Sequence, residues 1–510
     1  MSLKERTSRI SNLVVLSGIL CAMFLLPTVI PTTAQQSAEQ APDSQQEPAP
    51  PIAADSSESC PAPNIVIFLI DTLRADRLGA YGYVRKETSP NIDRLGKEGV
   101  VFEHACAASP WTLPSVASLM TSTYPYEHRT LDDNDRLDEK FDTLPSALQR
   151  VGYSTINLYS NPYAGPTYGI ARDYDYVKQS LHTDGRKVEE TLAQHPARPF
   201  FLYIHNGEPH NPYDAHIGVR GFKSIPQSVR AEIKRHVQNY RRLTREDFVQ
   251  KREIGTTDNT QEQNVEIAAL NEMYEDYNEL YDTSVHDADD HVGSVINSLK
   301  KLGEWENTLF IVLADHGEEL SEHGGWLHDQ SVYQELIHVP LIIRFPGDEH
   351  AGLRIKSVVS LVDIMPTILD FIDRSEECSR MRGKSLLPVV DGVSPTAEDL
   401  FRIFAMRWNT KKYYRPWKLS RGDLNLVVRH QSWKGIWNVE TASFELYNLE
   451  DDPWEQNELA ISQPDLSLAM RVSAKLWSLR SQRIGTERVQ LDQELDEDAK
   501  EGLRSLGYID

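Results

Sequence analysis

Several stretches of this chain are apolar without a break. Six apolar residues follow one another from Ile65 to Ile70 in NIVIFLID. The same kind of run recurs in FFLYIH (200–205), TLFIVLAD (308–315) and VPLIIRF (339–345). A strand with one wet face alternates apolar and polar residues. An unbroken run needs cover on both faces, as in a parallel sheet. Helical patterns lie between the runs. In DADDHVGSVINSLKKLG, Val292, Val295, Ile296, Leu299 and Leu302 form one apolar stripe. Acids stand at its start, Lys300 and Lys301 near its end and Gly303 just beyond, which suits the helix dipole and a glycine C-cap. Strands alternating with helices predict an α/β fold around a large, mostly parallel sheet.

The flanks differ. Lys4, Arg6 and Arg9 precede the apolar run LVVLSGILCAMFLLPTVI, and Thr32-Thr33-Ala34 follows as a small-residue cleavage site. That three-part pattern predicts an export signal over residues 1–34 and an extracytoplasmic protein: periplasmic, secreted, or anchored facing outward. Left uncleaved, residues 13–30 would attach it to a membrane. Residues 35–62, rich in Gln, Ser, Pro, Ala and acids, read as a disordered linker. Residues 63–394 read as the main α/β domain, with a polar, helix-prone insertion at about 218–280. From 395 to 510, short strands and Trp-rich turns predict a small C-terminal α+β subdomain of antiparallel hairpins plus a helix. The net charge of -23 excludes nucleic acid as a partner. Past the signal only Cys60, Cys106 and Cys378 remain, too few for a disulfide framework and without zinc-site spacing.

Two buried runs end in acids. Asp71 closes the first, and Asp315 closes TLFIVLAD, followed at once by His316. Ligands of open α/β sheets bind at the carboxyl ends of strands. Two carboxylates and an imidazole there suit a divalent cation such as Ca, Mn, Zn or Mg. The loop-to-helix stretch SPWTLPSVASLMTS (109–122) places Thr112 at a helix start, where an anion also binds well. A metal held by Asp71, Asp315 and His316 would polarise the Thr112 hydroxyl into a nucleophile.

Four ordered motifs carry a resemblance: NIVIFLIDTLRADRLGAYGY, SPWTLPSVASLMTSTYPYEH, PHNPY and DHGEELSEHG. Over about residues 63–460 the chain resembles the sulfatase-like branch of the alkaline phosphatase superfamily. The resemblance implies a three-layer α/β/α sandwich, one or two divalent metals, and a covalent nucleophile at Thr112. It maps metal ligands to Asp71, Thr112, Asp315 and His316. His210 and His328 match residues that contact the leaving group or the transferred anion, and Asn161 and His205 are candidates for substrate binding. A second cation on Glu208, His210 and His328 is the two-metal variant of this scheme.

The departures from the family pattern C/S-x-P-x-R are chemical. Here the segment is Thr112-Leu113-Pro114-Ser115-Val116, so the Cys or Ser that becomes formylglycine is absent and Val116 replaces the Arg. Thr72 stands where many sulfatases carry a second Asp. The resemblance therefore implies an exported hydrolase of phosphate, phosphonate or sulfate esters, with a small-molecule, glycan or lipid ester as substrate. Two alternatives stand beside it. One is a phosphoryl-group transferase acting on envelope glycans or lipids. The other is a non-catalytic binding protein with the same fold.

Overall fold

The computed structural model describes residues 62–211, 213, 227–231, 261–323, 325–377, 380–394, 401–407, 425–439, 441–483, 489 and 497–505. The signal or anchor, nearly all of the linker, Cys60, Cys378, most of the 218–280 insertion and the Trp-rich turn at 408–424 lie outside the described residues.

The apolar runs form the middle of a nine-stranded sheet. β1 (Asn64–Ile70) lies between β5 (Phe200–Asn206) and β6 (Thr308–Leu313) and pairs parallel with both. Every residue of these three strands is buried, which is why none alternates. β3 (Ser154–Tyr159) and β4 (Tyr176–Gln179) continue the sheet on one side, all parallel. On the other side come β10 (Leu341–Arg344), β2 (Val100–Cys106) and β11 (Arg354–Ser360). After β6 comes a short antiparallel pair, β7 (Glu319–Leu320) and β8 (Trp326–Leu327), and the VPLIIRF run then supplies β9 (His338–Val339) and β10, which pair antiparallel with their neighbours in the large sheet. An unbroken apolar run reports cover on both faces and carries no information on strand direction. β2 and β3 carry no such run over their full length and escape that criterion.

Helices flank the sheet. α1 (Pro90–Glu98) and α4 (Gly185–Gln194) pack on α5 (Gln261–Lys301), while α2 (Thr112–Thr121) packs on α6 (Ile364–Phe371) and α3 (Leu144–Arg150) follows α2 in the chain. The expected stripe of α5 is buried at Val292, Val295, Ile296 and Leu299, and Gly303 caps the helix in the left-handed region (φ 73). The helix is longer than its sequence pattern: its 41 residues run unbroken across the boundary expected at 280. The C-terminal region holds an antiparallel sheet of β12 (Phe401–Arg407), β13 (Asn425–His430), β14 (Trp433–Asn438) and β15 (Phe444–Asn448), with α7 (Pro464–Arg483) against it. Both sheets belong to one compact unit, Pro63–Asp510. Lys434 on β14 ties them together: buried, it reaches the Val332 carbonyl (2.8 Å) and the Glu455 carboxylate (2.7 Å).

Candidate active site

Parallel neighbours β6, β1 and β5 end at the same edge, and that register assembles the site. Leu69 lies opposite both His205 and Leu313, so Asp71, His205 and the Asp315-His316 pair emerge side by side. All four side chains are fully buried. The His205 Nε2 atom is 3.8 Å from Asp71 Oδ2 and 3.9 Å from Asp315 Oδ2. His316 Nε2 is 3.6 Å from Asp71 Oδ1 and from Asp315 Oδ2. Thr72, in left-handed backbone (φ 59), donates its N–H to Asp315 Oδ1 (3.3 Å), as does the His316 N–H (2.9 Å). At the position of the family's second Asp, this chain thus offers a backbone donor.

Thr112 is the first residue of α2 and is fully buried. Its Oγ1 lies 3.2 Å from His316 Nε2. His316 donates Nδ1–H to the Gly317 carbonyl (2.9 Å), because only a protonated nitrogen can face that oxygen. Its Nε2 therefore presents a lone pair to the threonine hydroxyl. The Asn161 amide donates to Asp71 Oδ2 (2.9 Å) and to Thr112 Oγ1 (3.3 Å), while its oxygen accepts from the Tyr163 N–H (3.0 Å) and so orients the amide. Ser115 locks α2 to the end of β6 by donating to the Asp315 carbonyl (2.6 Å). Val116, at the family's Arg position, is buried in the hydrophobic core.

The electrostatics call for a cation. Burial, and then the neighbouring Asp315 carboxylate, push the Asp71 carboxyl well above the usual range. Burial lowers His205 to about 4, so its ring is neutral, as a metal ligand must be. Asp71 Oδ1, Asp315 Oδ2 and His205 Nε2 are buried with no hydrogen-bond partner. Among the described residues, Asp71, His205 and Asp315 are the set of three whose ligand atoms converge, within 4.8 Å of one another. Oxygen and nitrogen donors left unsatisfied in a dry site fit a divalent cation, with His316 and Thr112 beside them.

Two more histidines form the outer wall. The His328 ring centroid is 4.7 Å from that of His316 and 5.0 Å from that of His210. Burial, and then His328, hold His210 well below the usual histidine range. Its Nδ1–H donates to the Asn211 carbonyl (2.6 Å). Glu208, the third member of the two-metal scheme, faces His182 at 3.5 Å.

Asp71, Thr112, Asn161, His205, Asp315 and His316 are thus in one cluster, with His210 and His328 on its rim. The site also recruits Glu318, Tyr213 and Ser115, which no sequence signal distinguishes. Glu318 sits among several acids in DHGEELSEHG, and only contact singles it out.

Residues 63–373 match the family described as Sulfatase, and residues 321–482 match the one described as N-sulphoglucosamine sulphohydrolase, C-terminal. The chain is 26% identical to an N-acetylglucosamine-6-O-sulfatase of Bacteroides thetaiotaomicron over 490 residues, covering 80% of this chain and 86% of that protein. A solved protein bound to its substrate D-glucosamine-2-N,6-O-disulfate superposes with a TM-score of 0.64 at 20% identity, covering 83% of this chain and 98% of that one. The phosphonate monoester hydrolase of Agrobacterium radiobacter superposes with a TM-score of 0.62 at 20% identity, covering 86% and 98%. With two carboxylates and two imidazoles gathered at one sheet edge and more than half its length matched, the chain belongs to the sulfatase family.

Proposed function

We propose that this sulfate/phosphate ester hydrolase works through an unmodified Thr112 nucleophile and prefers phosphorus esters, phosphonates and phosphate esters, to sulfate esters. The observation that carries the proposal is the placement of Thr112 Oγ1: buried, 3.2 Å from the His316 lone pair, and hydrogen-bonded by Asn161 beside the Asp71–Asp315 carboxylates. Threonine cannot be converted to the formylglycine aldehyde, and Val116 leaves no arginine to support one.

Asp71, Asp315, His205 and His316 would hold the divalent ion, with Thr112 as a further oxygen donor. Bound there, it would supply polarisation of the hydroxyl and charge neutralisation for the ester oxygens. The chain's own residues do the rest. Asn161 fixes Thr112 against Asp71, and the Gly317 carbonyl, holding His316 Nδ1–H, turns His316 Nε2 toward the same oxygen. Thr112 gives up its proton to solvent and its Oγ1 forms a bond to phosphorus while the bond to the leaving oxygen breaks, its electron pair staying on that oxygen. His328, entering as the imidazolium with His210 beside it, delivers a proton to that oxygen. Water then attacks phosphorus and gives a proton to His328, the Thr112–phosphorus bond breaks with its electron pair on Oγ1, and Thr112 takes a proton back from solvent.

Export, as a free or an anchored enzyme, rests on the reading of residues 1–34, which lie outside the described residues; among the described residues no helix is long and apolar enough to cross a membrane. We keep the 1–34 signal, the 35–62 linker, the 63–394 catalytic domain and the 395–510 subdomain as the organisation of the proposed enzyme. A sulfate-ester reading has support from the names of several relatives. A panel of 4-nitrophenyl sulfate, phosphate, phosphate diester and phenylphosphonate, assayed with Mn, Ca, Zn and Mg, separates the two. Fastest turnover of a phosphorus ester is the expected result; a sulfate ester turned over at least ten times faster would overturn it.

A further inference from the structure

Glu318 lies one residue past the His316-Gly317 pair, fully buried, and its carboxylate faces two donors. His328 Nδ1 is 2.8 Å from Oε1, and the Tyr213 hydroxyl is 2.9 Å from Oε2. Arg74 holds the same residue from behind by donating to its carbonyl (3.0 Å). An ionised carboxylate accepts only, so the nitrogen of His328 that faces it must carry a proton. The Tyr213 O–H points the second oxygen away and keeps the first aimed at the ring.

The backbone at His328 is also unusual. Leu327 (φ 70) and Asp329 (φ 79) flank it, both non-glycine residues in the left-handed region. Such conformations persist where the surroundings over-determine them, and they gather at functional sites. The Asp329 N–H donates to the Pro110 carbonyl (3.1 Å), which ties the His328 turn to the loop that leads into Thr112. Two left-handed residues turn the imidazole inward, and the tie fixes its distance from the nucleophile.

We propose that Glu318 is the positioning residue that sets which nitrogen of His328 meets the ester. With Nδ1–H committed to Glu318, Nε2 is the atom presented to the cleft between His316 and His210. In the imidazolium form Nε2 carries the proton for the leaving oxygen while Nδ1–H stays on Glu318; without the carboxylate the ring is free to turn, and that proton loses its aim. The assignment rests on the reading of His328 as the proton donor. It concerns the orientation of the ring: Glu318 acts on the leaving group through His328, while its charge also reaches Asp71.

The test has two arms on the full chain. In the first, the metal-free protein is labelled with 15N-histidine and His328 is identified by the signals lost in His328→Asn. In the wild type Nδ1 is expected to stay protonated whether Nε2 holds the transferable proton or has given it up, and Glu318→Leu is expected to lose that fixed Nδ1–H. Unchanged ring signals in Glu318→Leu would overturn the proposal. In the second arm, metal-loaded enzyme is assayed on aryl esters whose leaving phenols are graded in acidity. Glu318→Leu is expected to lose on the order of 10–100-fold in kcat for the poorest leaving groups. KM should change less than kcat, and the loss on the 4-nitrophenyl ester should be several-fold smaller than on the poorest leaving groups. Glu318→Gln, which retains an acceptor oxygen, should recover most of the loss. Glu318→Leu/His328→Ala should be no worse than His328→Ala, and losses that multiply instead would overturn the proposal. A leaving-group dependence left unchanged by His328→Ala would defeat the proton-donor reading, while the first arm still judges Glu318. Glu318→Ala serves both arms if the leucine variant does not fold.

Discussion

Thr112 Oγ1 sits 3.2 Å from His316 Nε2, although 204 positions separate the two residues in the chain. One begins a helix and the other follows a strand; Ser115, donating to the Asp315 carbonyl, holds the two elements in register. The nucleophile proposal makes this contact its centre. Thr112→Ala should lose at least about 10³-fold in kcat, with thermal unfolding unchanged within a few degrees. Thr112→Ser should retain measurable turnover. Intact-mass analysis of acid-quenched enzyme should show the substrate group on the wild type and not on the alanine variant. Full activity in Thr112→Ala would reject the assignment.

The proposed metal role of the buried Asp71–Asp315 pair predicts that stability depends on a cation. Chelation should abolish activity and lower the melting temperature, and added divalent ion should restore both. Asp71→Asn removes one of two mutually repelling buried carboxylates. The metal-free Asn variant should therefore melt higher than metal-free wild type, and added metal should raise it little. Calorimetry with and without chelator checks this; a variant that melts lower in both conditions would contradict it.

His323 gives the fold a dependence on pH outside the catalytic cluster. Burial lowers its basicity, but the hydrogen bond and charge of Glu335, 2.6 Å away, outweigh burial and raise it to about 9. A histidine raised above its unfolded value of about 6.5 stabilises fully below that pH. The contribution is lost as pH rises from about 6.5 through 9. Melting temperature should fall over that window, and His323→Gln should flatten the slope while lowering the plateau below pH 6.5. Equal slopes in both proteins would show that another group controls it.

Lys434 and Glu455 are a buried ion pair at 2.7 Å, both side chains fully inaccessible. Lys434→Met leaves the Glu455 carboxylate uncompensated and should cost about 3–5 kcal/mol. Lys434→Met/Glu455→Met removes both charges and should recover most of that. Chemical denaturation of the four proteins in the cycle measures the coupling, and additive losses would mean that the pair does not act as a unit.

Local chemistry in the chain determined a great deal here. Unbroken apolar runs specify β1, β5 and β6, because full burial on both faces leaves no room for alternation. The dipole-matched ends and Gly303 place the end of α5, and Asp71, Thr112, Asp315 and His316 stand where strand and helix ends can present them. Tertiary structure alone decided the rest. Strand direction at β10 follows from pairing, which an apolar run does not encode. α5 runs 41 residues without a break, so the helix-prone stretch before 280 and the amphipathic stripe after it are one helix, a continuity no boundary signal in the chain announces. His205 joins the carboxylates because β5 happens to lie next to β1 in register, and Glu318 matters because a turn brings His328 onto it. Apolar periodicity is a property of neighbours in sequence and survives being read in one dimension. A metal-binding group or a hydrogen-bonded carboxylate–imidazole pair is a property of neighbours in space, and only the assembled sheet and the chain returns that serve it create those neighbours.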